Sequence, residues 1–273
     1  MARYHNLTVA ETIEETADAH SILFDIPESI SDKFHYQSGQ FITLKFPYDN
    51  QWMQRCYSMS STPSLDNQLR VTVKRVDGGR GSNWICDNLK AGSKIDVMQP
   101  AGLFVSKDLS EDHLLCAGGS GITPVLSILR LVLNKGTGNI RLIYANRDEA
   151  SVIFKQTIKA LGQEYPERLE VIHLLDSLQG IPSKRLLASL AEGMQHGRAF
   201  ICGPGPFMDA MESALKQANM STDKIHIERF VIAKSANAEH SSELDGKPSE
   251  QEQAKQQESL LASTVQLELD GVH

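Results

Sequence analysis

The sequence predicts two folded bodies in tandem: an antiparallel six-stranded β-barrel, then an α/β domain built on a five-stranded parallel sheet. Three observations lead there. Up to about residue 108 the chain runs in short alternating segments with turn formers and no long helix between them. From residue 109 to about 232, apolar strands alternate with segments of helical period. Between the two lies L-L-C-A-G-G-S-G-I-T-P at 114–124, where an apolar run turns through glycines into a helix start.

In the first body, strands are expected at 7–13, 21–26, 40–46, 55–60, 69–76 and 94–98. Pro27, Gly39, the run 47–50, Asp66-Asn67 and Asp77-Gly78-Gly79 separate them. In the second body Thr123 is the expected N-cap and Pro124 the first helical residue, followed by an apolar stripe through Val125, Ile128, Leu129, Val132 and Leu133. Strands follow at 140–145, 169–174, 199–202 and 225–230. The helices between them carry Ile153, Phe154, Ile158 and Leu161, then Leu186, Leu187 and Leu190, then the run 207–218.

Composition narrows the classes. Of 273 residues 41% are hydrophobic and 22% charged, ordinary for a globular chain of two domains. A net charge of −7 argues against nucleic acid as a partner. No apolar run is long enough for a membrane span, and the N-terminus lacks a signal core. Cys56, Cys86, Cys116 and Cys202 are far apart with no C-x-x-C pair, so no metal cage is expected among them. A reducing cytoplasm is the expected compartment.

Four stretches carry chemistry. In R-C-Y-S-M-S-S at 55–61, Arg55 and Tyr57 share one strand face and Ser58 takes the other. An arginine beside a ring suits a phosphate attached to a flat heterocycle, although a solvated Arg and half-buried Tyr at a strand end read equally from the residues. In G-G-R-G-S-N-W-I at 78–85, glycines lead into a helix with Ser82 as N-cap and Gly92 as the later stop. Such a turn presents backbone N–H groups to an anion, and a plain capped helix accounts for it as well. The G-G-S-G turn at 118–121 departs from G-x-G-x-x-G, so alone it is a phosphate site or simply a tight strand-to-helix turn. The fourth is C-G-P-G-P-F-M at 202–208. In an open parallel sheet the segments 118–123, 146–148 and 202–206 converge on the carboxyl edge, where ligands bind.

In this order, R-C-Y-S, G-R-G-S, G-G-S-G-I-T-P and C-G-P-G-P-F-M resemble the motifs of the ferredoxin–NADP reductase superfamily over residues 5–230. The chain looks most like the FAD-containing reductases that feed multicomponent oxygenases, among them the phenylacetyl-CoA and 3-ketosteroid 9α-hydroxylase types. The resemblance implies an FAD-binding barrel at 1–108 and an NAD(P)-binding α/β domain at 109–232. By the same resemblance Arg55 meets the flavin pyrophosphate, Tyr57 packs on the flavin ring, and Ser58 hydrogen-bonds near flavin N5, with Met59 following in the run. Val73 and Lys74 lie along FAD, and Gly81, Ser82 and Asn83 take its pyrophosphate, which favours FAD over FMN. Gly119, Gly121 and Thr123 line the nicotinamide nucleotide, while Cys202, Gly203 and Pro204 approach its ring. Glu228 and Phe230 belong to the closing strand, with Phe230 the cover over the flavin. The catalytic set implied is Ser58, Cys202, Glu228 and Phe230.

The activity implied is hydride transfer from NAD(P)H to flavin and electron delivery to an iron–sulfur centre, the flavin supplying the two-to-one electron conversion. Arg147 suits adenine or a 2′-phosphate, whereas Asp148 and Glu149 repel that phosphate, which favours NADH with NADPH as the alternative. The same acidic pair also reads as a helix entry favoured by the dipole. From 233 to 262 the chain turns to Ser, Glu, Gln and Lys, the composition of a flexible linker. Residues 263–273 alternate like the first strand of a 2Fe-2S ferredoxin domain, cut before its cysteine ligands. A ferredoxin domain or an iron–sulfur oxygenase component is the expected partner. A stand-alone flavin or ferredoxin reductase, or a flavin-binding nucleotide-sensing subunit, are the competing functions.

Overall fold

The computed structural model describes residues 4–229, so Phe230, the linker at 233–262 and the strand at 263–273 lie outside the described residues. The first body comprises β1 (Tyr4–Thr16), β2 (Ala19–Asp25), β3 (Phe41–Tyr48), β4 (Gln51–Ser58), β5 (Leu69–Lys74), helix α1 (Arg80–Asn88) and β6 (Lys94–Met98). The strands form one six-stranded antiparallel sheet in the order β4-β3-β6-β1-β2-β5. Period-2 alternation places Leu7, Val9, Ile22, Phe24, Ile42, Leu44, Phe46, Val71, Val73, Ile95 and Val97 in one core. Register shifts at Val9/Glu11 and Glu14/Thr16 bend the long β1, as bulges do where a sheet must curl.

The two edge strands, β4 and β5, meet through a single bridge, Met59 to Val71. Toward the start of β4 no ladder continues between them, and the barrel stays open along Arg55–Ser58 on one side and Val73–Lys74 on the other. That seam is the feature that positions the first half of the site. The β3–β4 connection is tighter than its four turn-forming residues suggest. Pro47 and Tyr48 remain in β3, and only Asp49 and Asn50, at φ 49° and 57°, make the turn.

The second body comprises β7 (His113–Gly118), α2 (Ile122–Lys135), β8 (Ile140–Asn146), α3 (Lys155–Glu164), β9 (Leu169–Leu175), the short α4 (Asp176–Gln179), α5 (Lys184–Leu190), β10 (Arg198–Cys202), α6 (Gly205–Gln217) and β11 (Ile225–Glu228). Its strands are parallel in the order β11-β10-β7-β8-β9. The chain winds outward from β7 through β8 and β9, then returns to the other side of β7 with β10. The switch point therefore falls between the carboxyl ends of β7 and β10.

Helix α2 has buried residues all round, including Ile122, Val125, Leu126, Ile128, Leu129, Val132 and Leu133. It lies between sheet and barrel: Ala19 and Phe104 share its core cluster, and a Cβ on Gly39 would stand 3.0 Å from Ile128 Cδ1. A helix buried on every side needs no polar face. Among the described residues, no helix is long and apolar enough to cross a membrane.

Several local expectations shift. The helix after β7 starts at Ile122 with Gly121 as its N-cap, because the Gly119–Gly121 3-10 turn winds straight into it. Thr123 thus sits in the first turn, donating to Ser120 O at 3.2 Å, and Pro124 follows inside. Similarly α1 begins at Arg80 with Gly79 as N-cap, and it ends at Asn88, before Gly92. Ser82 Oγ reaches back to accept from Val76 N at 3.1 Å. Ile153 and Phe154 are buried as expected but precede α3, with Phe154 left-handed at φ 60°. Burial and the Arg70 guanidinium, 5.2 Å over the ring, hold it there.

Candidate functional site

Two turns of the second body meet at the switch point. Gly203, at φ 159°, brings its backbone against Gly118, where an added Cβ would lie 2.9 Å from Gly118 Cα and N. A Cβ on Gly121 would stand 2.1 Å from Cys202 O, so only glycine fits. The G-G-S-G and C-G-P motifs are therefore packed backbone to backbone. Gly119, at φ 52°, has nothing within 4 Å of its Cβ position and opens outward. No side chain among the described residues caps the first turn of α2; Ile122 N–H donates back to Gly119 O and Ser120 O, and Pro124 has no N–H, so the glycine turn ahead of the helix is the part open to an anion. The turn is steadied from below by Tyr144, whose hydroxyl donates to Gly119 O at 3.1 Å.

Cys202 is fully buried, and burial pushes its thiol far up, with Glu228 nearby adding to the effect. It faces the apolar core shared with Phe200, Ile122 and Val125 rather than the rim. Gly203 and Pro204 therefore form the surface of that turn. Glu228, paired in register with Cys202, is half-buried, and that burial alone raises its carboxyl to about 7.

On the barrel, Met53, Arg55 and Tyr57 share one face of β4, as period 2 requires. Arg55 and Tyr57 are half-buried. A Cβ on Gly81 would meet Arg55 Cγ at 3.0 Å, so R-C-Y-S and G-R-G-S lie against each other across the mouth of the seam. Burial raises the Tyr57 phenol and keeps it neutral. Ser58 is 1% exposed, and among the described residues its Oγ has no hydrogen-bond partner. A buried hydroxyl at the open edge of a sheet is costly unless something arrives to bond it. The first turn of α1 likewise carries no side-chain cap, because Ser82 and Asn83 are bonded to Val76 N and O instead. Met59 and Val73 have side chains fully inside the barrel core, leaving only their backbones to face the seam.

Lys74 and Arg147, from opposite bodies, share one carboxylate. Asp18, in the β1–β2 turn, lies 3.6 Å from Lys74 Nζ and 4.0 Å from Arg147 Nη2. Arg147 also donates to Asp148 Oδ2 at 3.1 Å, while Asp148 Oδ1 accepts from Ser151 N in a capping box. Beside them Asp148, Glu149, Ala150, Lys155, Leu175, Ser177 and Leu178 line a groove of about 550 Å³. Asp18 and Tyr144 are residues the sequence does not single out: one sits in an ordinary hairpin, the other in an apolar strand.

These residues fit two nucleotides. The seam offers a cation, a flat half-buried ring, a free helix N-terminus and an orphaned hydroxyl, which match a flavin dinucleotide. The switch point offers a glycine cradle that opens outward at Gly119. Fold and site together define an oxidoreductase of two nucleotide cofactors. The comparisons agree: residues 6–105 match the model "Oxidoreductase FAD-binding domain" and residues 115–213 "Oxidoreductase NAD-binding domain". The chain belongs to the ferredoxin–NADP reductase family, as an NAD(P)H-dependent flavoprotein reductase that binds FAD.

It is 45% identical over 269 residues to the ferredoxin reductase component of a 3-ketosteroid-9-alpha-monooxygenase from Rhodococcus rhodochrous, covering 97% of this chain and 74% of that one. A component of the same name from Mycolicibacterium smegmatis is 51% identical over 228 residues, covering 82% of this chain and 65% of its own. One of the subunits of the 1,2-phenylacetyl-CoA epoxidase of Escherichia coli is 36% identical, covering 84% and 68%. The chain thus spans about two thirds to three quarters of the length of these relatives. Among solved structures, the Amycolatopsis cytochrome P450 reductase GcoB superposes with a TM-score of 0.71 at 25% identity, covering 84% of this chain and 71% of that one. The cytochrome b5 reductase domain of Ulva prolifera nitrate reductase shares the fold, with a TM-score of 0.72 at 18% identity, covering 83% and 97%.

Proposed function

We propose that this reductase draws electrons from NADH through FAD and delivers them to an iron–sulfur centre of an oxygenase system in the cytoplasm. The relatives named for the ferredoxin reductase component of a monooxygenase support that assignment. FAD, when bound, supplies the conversion of one hydride into two single electrons. The observation that carries the reading is Ser58, a buried hydroxyl without a partner among the described residues, at the mouth of the barrel seam.

Each neighbouring group then has a task. Arg55 and the N-terminus of α1, brought together at Gly81, hold the flavin pyrophosphate, and Lys74 adds charge along the seam. Tyr57, kept neutral by burial, gives the flat ring an apolar bed, and Ser58 Oγ donates to a ring nitrogen. The Gly119–Gly121 turn and Thr123 hold the nicotinamide nucleotide at the start of α2. Gly203 and Pro204 give its ring a close backbone wall, with the Cys202 thiol buried behind and keeping water out. Glu228, with a carboxyl near neutrality, holds or releases a proton beside that wall. For the coenzyme's adenosine end, Asp148 and Asp18 already occupy Arg147, which disfavours an additional phosphate and favours NADH.

The purified protein tests this directly. It is expected to be yellow, to reduce ferricyanide with NADH, and to show a higher kcat/KM for NADH than for NADPH. Ser58→Ala should retain flavin yet lower the rate of its reduction by about tenfold, the scale of one lost polar contact. A colourless protein inactive with either coenzyme would sink the reading.

A further inference from the structure

Helix α2 is clasped from the barrel side by a short chain of polar bonds. Ser127, fully buried in mid-helix, donates its hydroxyl to Ser61 O at 2.6 Å. Thr62, also fully buried, donates Oγ1 back to Ser127 O at 3.2 Å. One turn further on, Arg130 takes both oxygens of Asp66, at 2.5 and 2.9 Å, with side-chain exposures of 18% and 26%. Asp66 Oδ2 in turn accepts from Thr62 N at 2.7 Å. Ser61 is fixed by its own bonds, accepting from Arg70 N at 2.8 Å and sharing a hydroxyl contact with Tyr36 at 2.6 Å.

The ends of this clasp matter. On the barrel, the clasped segment follows directly from Ser58, at the mouth of the seam. On the sheet, α2 follows directly from the Gly119–Gly121 turn. The apolar contacts of Ala19, Phe104 and Ile128 hold the two bodies together, but such contacts have no fixed direction and permit sliding. A bidentate Arg–carboxylate pair and two reciprocal hydroxyl–carbonyl bonds do fix direction and distance. Hydride transfer is sensitive to this, since it needs reacting atoms within about 3 to 3.5 Å, and a displacement of about 1 Å can cost 100-fold.

We propose that Thr62, Asp66, Ser127 and Arg130 are positioning residues for hydride transfer. They set the spacing between the segment that faces the flavin and the turn that faces the nicotinamide. This rests on the functional reading given above for those two sites. None of the four needs to touch either cofactor. Their effect is on how the two bodies are held.

Two substitutions remove the clasp with little change of shape. Thr62→Val deletes one hydroxyl, and Arg130→Met keeps the apolar stem but loses the fork. In stopped flow with saturating NADH, each is expected to lower the limiting rate of flavin reduction by about 10- to 100-fold. FAD content should stay full and the NADH Kd within about twofold, the size of an ordinary distant effect. Thr62→Ser, which restores the donor, should return the rate. A binding measurement gives an independent readout. ADP-ribose carries no nicotinamide, so in the wild type it should slow amide hydrogen exchange at 58–62 only through the clasp, and in Thr62→Val that protection should vanish. An unchanged reduction rate with a lowered melting temperature would make the clasp an adhesive only and overturn the proposal. A loss confined to coenzyme affinity would overturn it too. Wild-type protein that neither binds FAD nor oxidises NADH would instead remove the functional reading, and this inference with it.

Discussion

Glu228 and Gly121 show how single residues decide the chemistry of the site. Gly121→Ala would drive a methyl group into Cys202 O, now 2.1 Å from the ideal Cβ position, and either turn must shift. We expect coenzyme affinity to fall at least tenfold while the flavin spectrum is kept, as read by NADH titration. Glu228 acts through protons. Burial raises its carboxyl from 4.5 to about 7, so between those values the folded state binds a proton that the unfolded state releases. Its contribution to stability is complete below about pH 4.5 and is lost as pH rises through about 7. Glu228→Gln should therefore gain melting temperature on wild type from pH 5 to pH 8, and it should remove an inflection near neutrality from the pH profile of flavin reduction. Equal melting differences at both ends would contradict this. Arg55, Tyr57 and Ser58 are legible at this scale because strand parity alone sorts their faces. The Asp66–Arg130 pair is not, because its partners are 64 residues apart and only the folded chain brings them together.

At the scale of elements, the β1–β2 hairpin turn does more than connect two strands. Its Asp18 reaches both Lys74 of the barrel and Arg147 of the sheet. Such half-exposed pairs contribute little to stability, yet they set the charge seen by a phosphate. Asp18→Asn should leave the melting temperature within a degree or two and raise kcat/KM for NADPH relative to NADH about twofold, the scale of one weak ion pair. No change in the ratio would separate Asp18 from coenzyme choice. Helix starts are the elements least legible in the sequence. Thr123 and Ser82 have the chemistry of N-caps, but glycine turns run directly into both helices and place the cap earlier, at Gly121 and Gly79. Phe154 has helical spacing along the chain, yet packing forces it into a left-handed turn that no local pattern announces.

For the whole molecule, three histidines act against Glu228. Burial lowers His113, His173 and His226 below the ordinary 6.5, so the unfolded chain takes up protons that the folded one refuses. Stability should fall as pH drops through about 6.5, which thermal melts between pH 7 and pH 5 would show. His226→Phe, which keeps the ring stacked on Phe200 at 4.7 Å, should flatten that slope. The barrel-then-sheet order is legible because period-2 and helix-period segments separate cleanly along the chain. The seam is not, because an unpaired strand edge looks like any other strand in sequence.

Helix α2 carries one further consequence, for anyone who would express the two halves apart. Its flanks are filled by the sheet on one side and by the Ser61–Thr62 segment and the Gly39 backbone on the other. A cut between residues 108 and 109 follows the sequence boundary but strips that helix of half its surroundings. The C-terminal piece would then show Ile128 and the buried face around Ser127 to water and aggregate or bind detergent, while the two pieces made together should reassociate into a yellow complex. Recovery of a soluble, monomeric sheet half alone would show that the helix tolerates exposure. The chain has two architectures along its length, yet it shares one interior.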